Sequence, residues 1–286
     1  RDSLMGEADG QPKDADWAAP IAGLPAEEIR TLARRLHGKR VLVVVAHSLQ
    51  RAEHGEQPVW MGAVLAAALG QIGLPGGGYG YALGAIGYYG RRNSAVPLPT
   101  LAQGRNRVAD YIPVARISDM LLNPGGTYRY NGQTRTYPDI RLVYWAGGNP
   151  FHHHQDLNRL RRAFAGVDTL VVHEMAWTAT ARHADIVLPC TMTLEREDIG
   201  ASSNDPLMVT MHKVAEPHGE ARDDYAIFAG LAERLGRGAE FTEGRDARQW
   251  LEHLYERTRR GLEEKGLPAP DFARFWEAGS LTPVSY

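Results

Sequence analysis

Cysteine is nearly missing: Cys190 is the single one in 286 residues. That excludes an internal disulfide framework, a CxxC redox pair and an iron-sulfur cluster, which takes about four thiolates. Any redox chemistry must therefore come from an imported cofactor. Charge of one sign is also lacking. With a net charge of -2 and a pI near 6.6, the chain carries no field suited to gripping nucleic acid or an anionic membrane, so neither partner is expected. A long apolar run is absent too. The longest, Val59 to Ile72, is rich in alanine and falls short of the roughly 20 residues that span a bilayer, so it reads as a buried helix and no membrane insertion is expected. No basic stretch followed by an apolar one marks a signal peptide, and the first residue is Arg1. The chain reads as an internal piece of something longer.

What is present is an alternation of strand-like and helix-like segments. A helix is predicted from Pro25, at its first position, to His37, with Ile29, Leu32, Ala33 and Leu36 at helical spacing and Gly38 as a stop. Val41 to Ser48 is apolar and β-branched, the pattern of a strand covered on both faces. A helix over PVWMGAVLAAALGQIG follows, ending at Pro75 and Gly76, Gly77 and Gly78. From about Tyr79 to Asp139 sustained periodicity disappears, which predicts a long connection or irregular lobe holding a domain boundary. Strand Arg141 to Gly148, helix Pro150 to Phe164 with Leu157, Leu160 and Phe164 on one face, and strand Thr169 to Glu174 then make a βαβ unit with a right-handed crossover. A third strand, ADIVLP, ends at Pro189. Asp223 or Asp224 caps a helix with an apolar stripe of Tyr225, Phe228, Leu231, Ala232 and Leu235, and one more helix runs from Arg248 to Lys265.

The polar clusters sit where these strands end. In an open parallel sheet the carboxyl ends of the strands are where ligands bind. After the first strand come His47, Ser48 and Arg51. After the second come Gly147, Gly148, Asn149 and Pro150. Glycines there let backbone approach an anion, Asn149 is placed to act as helix N-cap, and Pro150 suits the first turn, leaving N–H groups aimed outward. The plain alternative is an ordinary strand-to-helix turn, because the full GxGxxG fingerprint is missing. Three consecutive histidines, His152, His153 and His154, are spaced about 100° apart on a helix and so do not converge on one metal ion. HEMAW at His173 is not HExxH, which removes the zinc-protease reading. Glu174 lies about 26 residues after Gly148, close to where dinucleotide folds place an acid for ribose hydroxyls. Glu195 to Asp198 reads either as a solvated charge run or, through Arg196, as a bidentate phosphate contact. Cys190 reads as a buried spectator.

Several long segments carry a family resemblance: SLQRAEHGEQPVWMGAVLAAALGQIGLPGGGYG, VYWAGGNPFHHHQDLNRL, VVHEMAWTATARHADIVLP, LEREDIG and GEARDDYAIFAGLAERLG. They resemble the molybdopterin oxidoreductases of the dimethyl sulfoxide reductase family, in the branch of biotin (or methionine) sulfoxide reductases and trimethylamine N-oxide reductases. The resemblance implies two molybdopterin guanine dinucleotides around one molybdenum, each held largely by one of two related α/β domains. It implies that His47, Ser48 and Arg51 contact one dinucleotide, and Asn149, His153, His173, Glu174, Arg196 and Asp224 the other. His47 stands where relatives carry tryptophan. The serine that ligates molybdenum in this branch, and the C-terminal domain that completes the pocket, have no matching motif in the chain.

The fold class expected is therefore α/β, with parallel Rossmann-like sheets flanked by helices and parts of two related lobes. Residues 1–95 form the end of one cofactor lobe, 96–139 an irregular connection, 140–236 a second dinucleotide lobe and 237–286 a helical extension. The function expected is that of a cofactor-binding fragment of a molybdenum reductase acting on S-oxides or N-oxides with an electron donor. No residue is singled out as catalytic and none as a metal ligand. The rival is a non-catalytic nucleotide-binding or structural α/β domain. A nicotinamide dehydrogenase is disfavoured by the missing GxGxxG. The branch resemblance points to the cytoplasm, with the periplasm as the alternative.

Overall fold

The computed structural model describes residues 1–52, 54–82, 94–98, 100–202 and 205–282. The chain divides into two compact units, 1–91 and 92–286, each described by itself. The predicted boundary at 95 falls next to a stretch that is largely outside the described residues.

Unit one holds α1 (Asp2–Met5), α2 (Ala15–Ala22), α3 (Ala26–Leu36), β1 (Leu42–Val45), α4 (Glu56–Ala68) and β2 (Gly78–Tyr81). Acids in the first turn of α3 (Glu27, Glu28) and bases in the last (Arg34, Arg35) complement its dipole. Pro25 stands just before the helix instead of inside it. β1 pairs in parallel with β2, which runs from Gly78 into the stretch read from sequence as irregular. The connection between them is α4. Its Gly62 lets the helix come close to the strands, since a Cβ there would stand 3.0 Å from both Tyr79 and Val45 side-chain carbons. Tyr79 Oη donates to the Val59 carbonyl at 2.9 Å, and Gln71 Oε1 accepts from Val41 N at 3.0 Å.

β1 departs from its expectation of cover on both faces. Leu42 and Val44 are 46% and 56% exposed, while α4 lies against the strand's other side. The strand also stops at Val45, and a 3₁₀ turn takes over from His47 to Arg51.

Unit two contains two cores. A short helix, α5 (Ile117–Leu122), precedes a hairpin of β3 (Thr127–Tyr130) and β4 (Gln133–Thr136), in the stretch expected to be irregular for want of periodicity. Asn131 and Gly132 turn it with φ of 49° and 76°, the Asn-Gly signature of a tight hairpin. The parallel sheet follows in the order β5 (Leu142–Ala146), β6 (Thr169–Glu174), β7 (Ile186–Pro189). Between β5 and β6 the predicted single helix is two: α6 (Pro150–His153) and α7 (Leu157–Phe164). Asp156 has φ 43° and caps α7 by accepting from Arg159 N at 3.0 Å. That break turns Leu157 outward, while Leu160, Ala163 and Phe164 enter a core with Leu121, Phe151, Leu170 and Val172.

The second core lies under an antiparallel sheet, β10–β9–β8 in spatial order, made by β8 (Asp198–Ser202), β9 (Asp205–Met211) and, from the chain's far end, β10 (Ser280–Leu281). Before β10 come α8 (Asp224–Arg234), α9 (Gly238–Thr242), α10 (Ala247–Glu263) and α11 (Phe272–Ala278). Tyr255 stacks on Phe275 at 4.4 Å beneath Met208 and Trp276. Leu235, expected in the apolar stripe of α8, lies past its last turn and is exposed.

An ion cluster ties α5 to α7 and the hairpin. Asp119 accepts from Tyr137 Oη at 2.8 Å and Arg159 Nη2 at 2.6 Å. The Tyr137 hydroxyl and Arg159 hold the Asp119 carboxyl below its ordinary value of 3.8, while burial, with Asp119 beside it, pushes the Tyr137 phenol up to about 12. A carboxyl depressed on folding contributes stability that is complete above its unfolded value and lost as pH falls through the folded one. Wild type and Asp119→Asn should therefore differ in melting temperature at pH 6, and the gap should close as pH falls below the ordinary carboxyl value of 3.8. A constant gap across that range would sink this assignment.

Candidate functional site

The carboxyl ends of β5, β6 and β7 open on a cleft of about 180 Å³, lined by Gly147, Gly148, His173, Glu174, Met175, Cys190, Thr191, Thr193, Arg196 and Asp224. Four of the nine residues expected to contact the cofactor thus line one cleft: His173, Glu174, Arg196 and Asp224. Gly147 and Gly148 have φ of 83° and 78°, a conformation L side chains rarely adopt, and a Cβ on Gly147 would meet nothing within 4 Å. The backbone is therefore bare where it faces the cleft.

Arg196 holds its guanidinium in place through Asp198 Oδ2 (3.3 Å from Nη2) and the Thr191 carbonyl (3.3 Å from Nη1). Glu174 accepts from Met175 N at 3.0 Å and Thr178 Oγ1 at 2.9 Å, so it also clasps the loop that follows β6. Asp224 accepts from His173 Nδ1 at 2.6 Å, whereas Asp223 accepts from Thr191 Oγ1 at 2.8 Å and precedes α8 without capping it through its side chain. His173 is buried with 1% of its side chain exposed, and its other nitrogen meets Tyr144 Oη at 2.6 Å. It acts on the cleft from behind Asp224. Burial, then the carboxylates of Asp224 and Glu174, raise the Cys190 thiol, which keeps it protonated and unsuited to nucleophilic attack.

Asn149 and its helix differ from the expectation. Its side chain does not cap α6; Oδ1 instead accepts from Thr180 Oγ1. Nor are the first amides free. Asn149 N donates to His153 Nε2 at 3.2 Å, Phe151 N to Thr180 Oγ1 at 3.4 Å, and Pro150 has none. A helix of four residues stapled in this way offers no anion site. His153 is exposed beside the turn, whereas His154 is half-buried, and burial followed by His153 lowers its pKa. In unit one His47, Ser48 and Arg51 lie exposed at the carboxyl end of β1, with His47 stacked on Tyr81 at 4.8 Å. No three His, Cys, Asp or Glu side chains converge as a metal site among the described residues.

Sequence reasoning passed over Tyr144, Thr180 and Thr191. Each is a hydroxyl among apolar neighbours, in or at the end of a strand or its following loop, and that is the signal that would have marked them.

The donor set fits a ligand with an anionic group flanked by N–H or O–H donors: one fixed guanidinium, two carboxylates that accept, and a bare glycine backbone. Fold and cleft together define a parallel α/β domain with a polar cleft at the carboxyl edge of its sheet. The chain belongs to the molybdopterin oxidoreductase family, whose model matches residues 28–234. It is 51% identical over 96% of its length to a biotin sulfoxide reductase of Cereibacter sphaeroides. It is 50% identical over 96% to a dimethyl sulfoxide/trimethylamine N-oxide reductase of the same organism, and 44% identical over 99% to a trimethylamine-N-oxide reductase of Haemophilus influenzae. These matches cover 37%, 35% and 36% of the respective relatives, so the chain spans about a third of their length. The family implies a molybdenum–molybdopterin cofactor. Among the described residues no helix is long and apolar enough to cross a membrane.

Proposed function

We propose that the chain is the cofactor-holding part of a bis(molybdopterin guanine dinucleotide) molybdenum reductase that removes oxygen from an S-oxide or N-oxide, fed by a separate electron donor. The observation that carries this reading is the convergence of Gly147, Gly148, Glu174, Arg196 and Asp224 on one cleft at the carboxyl ends of three parallel strands. The names of the relatives support the substrate class. In this reading Arg196 presents its fork to a phosphate, Asp224 and Glu174 accept from N–H and O–H donors of the guanosine, and the glycine turn lets the ligand lie against backbone. His47, Ser48 and Arg51 hold part of a second dinucleotide. The bound group supplies the two-electron oxygen-atom transfer, and these residues orient it.

The test is made on the full-length enzyme that contains this chain. Acid release should yield two guanine nucleotides per molybdenum, and the enzyme should oxidise a reduced viologen in the presence of trimethylamine N-oxide or biotin sulfoxide. The 286-residue chain alone should show no turnover. Release of adenine or nicotinamide nucleotide, or a molybdenum-free active enzyme, would refute the proposal.

A further inference from the structure

The cleft has a buried polar support that its lining alone does not reveal. His173 sits at the end of β6, in register with Ala146 of β5, and Tyr144 lies two residues earlier on β5. Phe228 of α8 packs on both rings, 4.9 Å from His173 and 5.8 Å from Tyr144, and encloses the contact between them. A carboxylate only accepts, so His173 must donate from Nδ1 to Asp224. In the neutral ring Nε2 then carries the lone pair and accepts a hydrogen bond from Tyr144 Oη. The chain of donors is Tyr144 Oη to His173 Nε2, and His173 Nδ1 to Asp224 Oδ1. This order occupies Oδ1 and leaves Oδ2 for the cleft. Asp224 needs that support: its side chain is 56% exposed and lies at the very start of α8, and among the described residues no other side chain bonds its carboxylate.

We propose that Tyr144 is a positioning residue for the cofactor: through His173 it fixes the rotamer of Asp224, so that one carboxylate oxygen faces the guanosine end of the ligand. The inference rests on the proposed function of the cleft. Burial, then the charge of Asp224, raises the Tyr144 phenol, which keeps the hydroxyl a donor throughout the neutral range.

The experiment uses the full-length holoenzyme and reads the rate at which guanine nucleotide and molybdenum leave it on dilution, together with melting temperature. Tyr144→Phe keeps the ring and removes one hydrogen bond, so cofactor loss should quicken about fivefold. Asp224→Ala and Arg196→Ala should quicken it more. Tyr137→Phe, which deletes a buried hydroxyl bonded to Asp119, is the matched control and should lower the melting temperature without changing cofactor loss. In ¹⁵N spectra of the enzyme the His173 ring should be protonated at Nδ1 in the wild type and in Tyr144→Phe, with the Nε2 resonance shifted in the variant by loss of its donor, and of mixed tautomer in Asp224→Ala. If Asp224→Ala and Arg196→Ala quicken loss while Tyr144→Phe matches Tyr137→Phe, the positioning role is refuted and the cleft assignment stands. If none of the cleft variants quickens loss, both fall. A wild-type ring protonated at Nε2 also overturns the donor order.

Discussion

In the full-length enzyme, Arg196→Ala is expected to weaken retention of the guanine dinucleotide about 100-fold, read as nucleotide and molybdenum remaining through a dilution series. A hydrogen bond to a charged partner contributes about 1.5–3 kcal/mol, and a guanidinium against phosphate makes two. The cleft holds no second cation to compensate: among its lining residues Arg196 faces Glu174 and Asp224, which alone would repel a phosphate. The fold should tolerate the change. The contacts of Arg196 to Asp198 and to the Thr191 carbonyl are long and partly exposed, and pairs of this kind contribute under about 1 kcal/mol. Arg196→Lys should recover only part of the affinity, because an ammonium keeps the charge and loses the planar fork. Full cofactor occupancy in Arg196→Ala at every dilution would remove the residue from the site.

How much of this was legible in the sequence depends on the range of the interaction concerned. Thr169 to Glu174 was readable to the residue, because a run of β-branched side chains ending in polar residues needs no partner to be recognised. The placing of Glu174 and Arg196 at one site was readable for a related reason, since strand ends in a parallel sheet face one way, whereas His173 and Asp224 joined them only through the family resemblance. Other features needed packing. Nothing in PFHHHQDLNRL states that Asp156 takes a left-handed turn and restarts the helix, and that turn decides that Leu157 faces out. The hairpin at Asn131–Gly132 was readable but obscured by its polar strands, since QTRT lacks the alternation that marks a half-buried strand. The pairing of Tyr144 with His173 depends on the register of β5 against β6, and the clasp of Thr180 on Asn149 on a loop conformation. Neither is a property of one segment.

The core beneath the cleft should be as sensitive as the cleft itself. Phe164 packs edge-on to Phe151 at 5.4 Å and tilts on Trp145 at 6.3 Å, inside the cluster that backs β5 and β6. Phe164→Ala removes a buried ring that neighbours fixed by sheet and helix cannot replace, so urea unfolding of the chain should show a loss of about 3–5 kcal/mol. Leu157→Ala, about two helical turns away in sequence but facing out after the break at Asp156, should fall within about 0.5–1 kcal/mol of wild type. The contrast checks the two-helix reading, because one continuous helix with both residues on its apolar face would make both substitutions costly. The damage should also reach the site. Phe151, whose amide is bound by Thr180, follows Asn149 and Pro150 directly, so a cavity at Phe164 loosens the turn that carries Gly148. Hydrogen exchange at Asn149 N, which donates to His153, should accelerate in Phe164→Ala and stay at the wild-type rate in Leu157→Ala. A loss below about 1 kcal/mol for Phe164→Ala would mean that this ring is not part of the core that supports the cleft.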